Sequence, residues 1–189
     1  MLDQLLQYDK DLFLFLNGLG TPTWDGFWMF MTKTKNSFPL YVLLLYLSYK
    51  NFGWKKTGVI LVSVALLITC TDQLSNFFKY GIGRLRPCHD PEINGVMRLV
   101  KSYCGGQFGY FSAHAANSFG PATFFMVLFC GKVRYMGFIL MIWACLVAYS
   151  RIYIGVHFPL DVLTGAIVGL LFGWLFAKLA IFAFQKTGT

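Results

Sequence analysis

The sequence predicts an all-α fold, a polytopic membrane bundle of about five to six transmembrane helices preceded by an interfacial N-terminal helix. Of its 189 residues, 57% are hydrophobic and only 13% are charged, whereas a soluble domain carries about 25% charged residues. Long apolar runs follow one another, with short polar segments between them. Because so little polar surface cannot cover a water-exposed globule, lipid must cover much of this protein. The length suits a single domain, residues 1–189.

The first part of the chain, residues 1–36, is predicted to lie at the membrane interface rather than across the bilayer. Residues 1–20 mix leucine and phenylalanine with charged side chains, and this stretch is short and charged for a span. Glycine and proline then break the chain, and residues 24–32 form a second, aromatic stretch. The N-terminus has early acidic residues and no basic segment, so a cleavable signal peptide is not expected.

Five apolar runs are predicted to cross the bilayer. A transmembrane helix needs about 20 apolar residues, so the first and fourth runs are short for this role. A polar loop, residues 88–111, separates the second run from the third and is rich in Gly, Asp, Arg and Cys. The runs are residues 37–49, 57–80, 112–131, 135–150 and 158–183.

Basic residues in the short loops predict the orientation, because cytoplasmic loops of membrane proteins are enriched in Lys and Arg. One face would carry Lys50, Lys55, Lys56, Lys132, Arg134 and Lys186, and the other Arg84, Arg86, Arg98, Lys101 and Arg151. The two counts barely differ, but the second set lies among His and Asp residues and is expected to serve chemistry. We therefore expect the first face to be cytoplasmic. The polar loop would face the periplasm, or the outside, of a bacterial-type inner membrane.

The formal net charge of +8 does not indicate nucleic-acid binding, because no basic soluble segment exists to hold a nucleic acid. The basic clusters between apolar runs instead fit a membrane face or an anionic ligand. The expected partners are membrane lipids and an anionic lipid substrate, with no nucleic acid. The sequence does not reveal the oligomeric state.

The cysteines fall into two groups. Cys70, Cys130 and Cys145 lie inside apolar runs, where they are expected to be inert packing residues. Cys88 and Cys104 flank the polar loop, and a disulfide between them is predicted if this loop faces an oxidising compartment. Two free thiols are the alternative.

The first of three polar clusters contains Lys79, Arg86 and Pro87 at the end of the second run. Lys79 and Arg86 are seven residues apart, which is close to two helical turns, so both could point the same way. Two cations on one face suit a phosphate, since Arg offers a planar fork and Lys a point charge. The alternative is that both side chains extend to the membrane surface without binding anything.

The second cluster opens the third apolar run. Ser112 is a natural N-cap, and the N-terminus of a helix offers free N–H groups and positive potential to an anion. His114 falls in the first turn, where it could exchange a proton with a bound ligand. A capped helix with an incidental histidine is the alternative.

The third cluster contains Ser150, Arg151, His157 and Asp161 before and at the start of the fifth run. His157 and Asp161 are four residues apart, so they can meet if a helix begins at His157. A carboxylate that accepts one imidazole N–H fixes the tautomer and leaves the other nitrogen free to attack. A purely structural His–Asp pair is the alternative.

Phosphoryl transfer accounts for the three clusters jointly, if they meet at one membrane level. Cations would neutralise the phosphate oxygens, one histidine would attack in line, and the second would protonate the leaving oxygen. Extension of basic side chains to the membrane surface explains a lysine, but it does not explain two histidines and an aspartate beside three cations.

The clusters resemble the signature of the type 2 phosphatidic acid phosphatase (PAP2) superfamily, which includes the vanadium haloperoxidases. The family pattern is Lys-x6-Arg-Pro, then Pro-Ser-Gly-His, then Ser-Arg-x5-His-x3-Asp. The matching residues here are Lys79, Arg86, Pro87, Ser112, His114, Ser150, Arg151, His157 and Asp161. The resemblance is close over about residues 72–165 and implies a PAP2/haloperoxidase-like helical core. In the middle motif, Phe111 replaces Pro and Ala113 replaces Gly.

The resemblance implies a role for each matching residue. His157 would become phosphorylated, oriented by Asp161, and His114 would be the general acid and would then help to activate water. The phosphate would be held by Lys79, Arg86, Ser112, Ala113 and Arg151, the backbone N–H of Ala113 taking the place of the glycine N–H. No metal and no cofactor are implied.

Four further residues in or near the polar loop are candidates for a second phosphate or a headgroup: Arg84, His89, Arg98 and Lys101. Such a role would favour a diphosphate, such as undecaprenyl diphosphate, or a phosphorylated saccharolipid. The alternative is that these charges are merely solvated.

The sequence therefore predicts a membrane lipid phosphatase that acts on a phosphomonoester or diphosphate through a phosphohistidine. Candidate substrates are undecaprenyl diphosphate, phosphatidylglycerophosphate, phosphatidic acid and lipid A phosphate. A non-enzymatic anion or phosphate transporter is the alternative from another class, although transport does not require the His157–Asp161 pair. A haloperoxidase would be soluble, which the composition disfavours.

Overall fold

The computed structural model describes residues 1–186, which fold into six α-helices. Two short 3₁₀ turns lie at Thr34–Ser37 and Pro87–His89, and residues 1–186 contain no strand beyond one isolated bridge between Leu85 and Phe108. The all-α prediction is therefore confirmed. The helices are α1 (Leu2–Gly18), α2 (Pro22–Thr32), α3 (Phe38–Ile82), α4 (Ala113–Leu128), α5 (Met136–Tyr153) and α6 (Pro159–Lys186).

Helix α3 consists of two helical segments that meet at Gly53. This glycine has φ 74° and ψ 177°, outside the helical region and at a positive φ that glycine tolerates without a steric penalty. Tyr41 and Leu44 before the break line the same 140 Å³ crevice as Ile60 and Val64 after it. The two segments therefore lie side by side and antiparallel. They correspond to the predicted runs 37–49 and 57–80.

By length and composition, three helices could cross a membrane: Thr34–Ile82, Met136–Tyr153 and Pro159–Lys186. Helix α4 has 16 residues, so the predicted run 112–131 is shorter than expected. Most of α4 is buried, because it packs against α3, α5 and α6 in the middle of the bundle. Since protein surrounds α4, its length need not match a lipid bilayer. With the two segments of α3 counted separately, the bundle has five helical segments.

Helices α4 and α6 approach each other closely along a row of glycines on α6, namely Gly165, Gly169 and Gly173. A Cβ atom built on Gly169 would lie 2.6 Å from the carbonyl oxygen of Ala116, which is closer than real side chains come. Equivalent Cβ atoms on Gly165 and Gly173 would meet the carbonyl oxygens of Ser112 and Gly120. The absence of side chains lets the two backbones touch.

The N-terminal helices pack onto the bundle rather than lying apart from it. Asp9, Phe13 and Asn17 are spaced four residues apart on α1, and all three are buried. The Asn17 amide donates hydrogen bonds to the carbonyl oxygens of Ile152 (3.2 Å) and Tyr153 (2.9 Å) at the end of α5. The prediction of an interfacial segment did not anticipate this buried polar face.

The two ends of the bundle differ in their side chains. At one end, which we call the basic end, Lys56 lies over the ring of Phe184, Lys132 over Phe52 and Lys186 over Phe182. The residues of the three predicted clusters lie at the opposite end, where α3 and α5 end and where α4 and α6 begin.

Candidate active site

The three predicted clusters meet around one cavity of about 660 Å³. Its lining includes side chains from the end of α3, the start of α4, the end of α5 and the segment before α6. Segments far apart in the sequence therefore present their polar side chains to a single space. The cluster residues that line it are Lys79, Arg86, Ala113, His114, Arg151 and His157.

Lys79 and Arg86 reach the cavity from either side of a helix end. Lys79 is in the last turn of α3, and the helix ends at Gly83, which is left-handed with φ 66°. The Arg86 backbone N–H donates to the carbonyl oxygen of Gln107 (3.0 Å), and its Nε donates to that of Phe108 (3.2 Å). Burial lowers the pKa of the Arg86 guanidinium. A cation that has lost hydration in this way favours an anion beside it.

His114 enters the cavity from the first turn of α4, next to Ala113. The helix has a side-chain cap, because Ser112 Oγ accepts a hydrogen bond from the Ala115 N–H at 3.4 Å. Ser112 is fully buried and does not line the cavity. The hydroxyl turns inward and satisfies the helix N-terminus, and its predicted contact with phosphate stays a prediction.

His157 lies between α5 and α6, and Asp161 lies in the first turn of α6. His157 Nδ1 is 3.5 Å from Asp161 Oδ2, close enough for electrostatic interaction but without the predicted hydrogen bond. That carboxylate oxygen instead accepts the Phe158 N–H at 3.1 Å, because α6 begins at Pro159 rather than at His157. Burial, with the charges of Arg151, Arg86 and Lys79, lowers the pKa of His157 well below its ordinary value. The imidazole is therefore neutral and able to act as a nucleophile.

Arg151 brings a third cation to the cavity from the last turn of α5. Its side chain is buried, with one terminal nitrogen donating to Thr32 Oγ1 of α2. Its Nε has no hydrogen-bond partner among residues 1–186. A buried guanidinium with an unused donor can bind an anion that enters the cavity.

Arg84 has a different position from the one predicted, because two carboxylates already bind it. Its guanidinium donates to Asp161 Oδ1 at 2.9 Å and also to Asp9 of α1. The other oxygen of Asp9 accepts the Leu160 N–H at 2.9 Å. Asp9 and Arg84 thus hold the start of α6, including the carboxylate beside His157. Sequence reasoning missed Asp9, although its spacing with Phe13 and Asn17 is a signal of a buried helix face.

The other three candidates for a second phosphate do not line the cavity either. Arg98 forms an ion pair with Asp25, and Lys101 lies 4.0 Å from the ring centroid of Tyr103. His89 is exposed, in the 3₁₀ turn at Pro87–His89. Together with Arg84, these side chains have separate partners or positions, so the structure does not bring the four around one phosphate.

Cys88 and Cys104 form a disulfide that closes the polar loop, with Cα atoms 6.1 Å apart. The bridge joins the segment after Arg86 to the part of the loop whose carbonyl groups face that arginine, since Arg86 also contacts the Cys104 carbonyl oxygen at 3.4 Å. It therefore limits the movement of one wall of the cavity.

The cavity continues past the cations along the membrane-spanning part of α3. Asp72, Gln73 and Asn76 line this part, together with Asn117 of α4. Sequence reasoning assigned none of them, although a carboxylate inside an apolar run is itself a signal of function.

This arrangement has the parts that phosphoryl transfer needs. Lys79, Arg86 and Arg151 can neutralise phosphate oxygens, and a neutral His157 can attack phosphorus. His114, on another wall of the same cavity, can exchange a proton with the leaving group.

Known proteins share these features. The PAP2 superfamily model matches residues 35–184. The chain is 41% identical over 183 residues to lipid A 4'-phosphatase of Bacteroides thetaiotaomicron, covering 95% of this chain and 80% of that protein. It is 34% identical over 185 residues to lipid A 4'-phosphatase of Porphyromonas gingivalis, covering 96% and 77%. The crystal structure of Aquifex aeolicus LpxE superposes with a TM-score of 0.65 at 28% identity, covering 89% of this chain and 93% of that one.

The family match spans most of the chain, and the matched region includes each residue of the three clusters. Two of these relatives are named as phosphatases, so the alternative of an anion transporter finds no support. Apolar helices long enough to cross a bilayer make the chain an integral membrane protein. The chain therefore belongs to the PAP2 superfamily and is a membrane lipid phosphatase.

Proposed function

We propose that this phosphatase removes a phosphate monoester from the saccharide headgroup of lipid A, through a phosphohistidine at His157, on the outer side of the membrane. The observation that carries the substrate assignment is the 41% identity to a lipid A 4'-phosphatase over 95% of this chain. A second lipid A 4'-phosphatase is similar over 96% of the chain, including the N-terminal helices.

In the first step, His157 Nε2 attacks phosphorus while the bond from phosphorus to the sugar oxygen breaks. The proximity of Nδ1 to Asp161, at 3.5 Å, favours the tautomer that carries its proton on Nδ1 and leaves Nε2 free. Lys79, Arg86 and Arg151 neutralise the charge on the phosphoryl oxygens. His114, which carries a proton once the phosphate dianion offsets the neighbouring cations, gives this proton to the leaving sugar oxygen.

In the second step, water replaces His157 on phosphorus. His114, now neutral, takes a proton from the attacking water, whose oxygen bonds to phosphorus as the bond between phosphorus and nitrogen breaks. Inorganic phosphate leaves, and His114 is again protonated. The carboxylate of Asp161 stabilises the positive charge of the phosphorylated imidazole between the two steps.

Two features support an active site on the outer side. The Cys88–Cys104 disulfide borders the site, and disulfides persist in oxidising compartments such as the periplasm. The basic end lies at the other end of the bundle and carries lysines, as cytoplasmic faces do.

Phosphate release by the purified protein in detergent tests the substrate assignment. Lipid A, undecaprenyl diphosphate, phosphatidylglycerophosphate and phosphatidic acid would be compared at equal mole fraction in the micelle. We expect the highest kcat/KM with lipid A and a product that has lost one phosphate by mass spectrometry. A higher kcat/KM for any of the three lipids without a sugar would overturn the assignment.

Quenching with alkaline detergent during turnover of substrate that carries a radiolabelled phosphate tests the intermediate. We expect label on the protein that is stable in base and labile in acid, as a phosphoramidate is, and that is absent from His157→Gln. Labelling that persists in His157→Gln would place the nucleophile elsewhere.

A further inference from the structure

We propose that a second, polar subsite lies on the membrane side of the phosphate pocket, built around Asp72 and Asn117, and binds hydroxyl or amide N–H groups of a saccharide headgroup. This inference rests on the proposed function and specifies how the same site would select its substrate class.

The subsite belongs to the same cavity as the phosphate pocket. Asp72 and Lys79 are on one face of α3, seven residues apart, which places Asp72 about 10 Å below the lysine along the helix. Gln73 and Asn76 also line the cavity between these two levels. A ligand whose phosphate lies between Lys79 and Arg86 would place its neighbouring groups within reach of these side chains.

Asp72 is a carboxylate in a membrane-spanning helix that forms no ion pair within residues 1–186. In the part of the chain that the structure describes, no Lys, Arg or His nitrogen lies within 4.0 Å of it, whereas Asp161 has Arg84. Its one side-chain hydrogen bond within residues 1–186 comes from Asn117 Nδ2, at 2.7 Å to Oδ1. A carboxylate at this depth is costly unless it binds something, so its second oxygen is a free acceptor facing the cavity.

The neighbouring side chains fix the direction of that acceptor. Because a carboxylate only accepts hydrogen bonds, the amide nitrogen of Asn117 points towards Asp72, and its Oδ1 lies 2.6 Å from the Thr71 hydroxyl. Thr71 is itself fully buried, which holds the chain of three residues in place. The subsite is therefore preorganised for a hydrogen-bond donor, because contacts within the protein already fix the orientation of the Asp72 side chain before a ligand binds.

The lining selects a ligand class. The carboxylate of Asp72 and the side-chain amides around it can bind hydroxyl and amide groups of a ligand close to its phosphate. A sugar ring provides such groups, and a prenyl hydrocarbon lacks them. Tyr41 and Trp143 line the same cavity, with ring centroids 6.2 Å apart, and supply an apolar surface for the face of a ring. A hydrocarbon chain in this position would leave the second oxygen of the Asp72 carboxylate without a donor.

The competing explanation is that Asp72 only offsets the charge of Lys79. The two explanations differ in what a substitution would do to different substrates. A counter-charge acts on the phosphate pocket and affects every lipid phosphate alike, whereas a saccharide subsite affects only the lipid with a sugar.

The test compares kcat/KM for lipid A and for undecaprenyl diphosphate in Asp72→Asn, with both lipids in the same detergent. We expect the selectivity ratio for lipid A over undecaprenyl diphosphate to fall by about tenfold or more, the size of one lost hydrogen bond to a charged group. Cys70→Ser is the matched control, because Cys70 is exposed on the opposite face of the same helix segment from Asp72. It should leave both values unchanged.

Gln73→Leu provides a second variant if Asp72→Asn does not fold, since Gln73 is exposed in the cavity wall. Its selectivity ratio should fall in the same direction. A ratio that stays at the wild-type value, whether both activities fall together or neither changes, overturns the subsite while the proposed function stands. A wild-type protein that fails to hydrolyse lipid A but hydrolyses another lipid overturns the proposed function, and the subsite with it.

Discussion

The two ends of the bundle carry similar numbers of basic residues but use them differently. At the basic end, Lys56, Lys132 and Lys186 lie over aromatic rings, with 4.9 to 5.8 Å between nitrogen and ring centroid. At the site end, Arg151 is buried with an Nε that has no partner among residues 1–186, and Arg84 is bound by two carboxylates. The first arrangement holds charge at a membrane surface. At the site end, Arg151 is available to an anion, whereas the charge of Arg84 is already balanced by carboxylates.

This comparison shows why counting charges gave so little information about orientation. Lys and Arg residues stabilise a membrane face by being exposed to headgroups and water, where each contact contributes little. A cation in a cavity has lost that hydration and gains free energy only when an anion or a carboxylate replaces it. The two ends differ in how deeply their basic side chains are buried and in what these side chains contact, rather than in how many basic residues they have.

The largest effect should come from His157→Gln, which keeps the size of the side chain but removes the nucleophile. We expect kcat for lipid phosphate release to fall by about a thousandfold or more. Thermal unfolding and gel filtration in detergent should match the wild type. Residual activity within tenfold of wild type would show that another group attacks the phosphorus.

Arg151→Lys should have the next largest effect, because it keeps the charge but removes the planar fork that holds two phosphate oxygens. We expect kcat/KM to fall by about a hundredfold. Arg134→Lys, the same change at the basic end, is the matched control and should not alter kcat/KM. Equal effects of both substitutions would contradict the distinction between the two ends.

Asp9→Asn should have an intermediate effect, since Asp9 acts through Arg84 and the start of α6 and does not touch the phosphate. We expect kcat to fall by about tenfold with little change in KM, because the Asp161 carboxylate beside His157 loses part of its support. Asp11→Asn, at an exposed position of the same helix, is the control. A rise in KM at unchanged kcat would mean that Asp9 serves substrate binding instead.

Lys132→Ala should have the smallest effect. Its ammonium group lies over the Phe52 ring at the end of the bundle away from the cavity. We expect kcat/KM to change by less than about twofold, as for exposed charges in general. A larger loss in a protein with the wild-type melting temperature would link the basic end to the chemistry.

Local spacing carried most of the prediction of the site. Lys79 with Arg86, and His157 with Asp161, lie within two helical turns of each other, so a linear pattern can reveal them. Asp9 and Arg84 lie 75 residues apart, and their ion pair exists only because α1 packs beside α6. No spacing rule predicts such a contact. For Ser112, the sequence could not separate an N-cap from a phosphate ligand, because both have the same sequence signal, and the structure shows the N-cap.

The sequence predicted the bounds of lipid-facing helices better than those of a helix that is surrounded by protein. Hydropathy located α5 and α6 because lipid demands an apolar surface of a given length. Helix α4 is enclosed by other helices, so its ends were placed less well, and it stops at Leu128 rather than at residue 131. The turn at Gly53 appeared only as a gap between two runs.

The glycine row of α6 sets the distance between α4 and α6, and this distance determines how the catalytic side chains are aligned. His114 stands at the start of one helix of that contact, and Asp161 at the start of the other, four residues before Gly165. One added methyl group at Gly165 would act as a wedge, pushing α4 off α6 by a fraction of a helix diameter. The two histidines would then no longer address the same phosphorus atom, although neither had been changed. Natural selection for activity should therefore also constrain these glycines, which lie in the membrane-spanning part of α6 and do not contact the substrate.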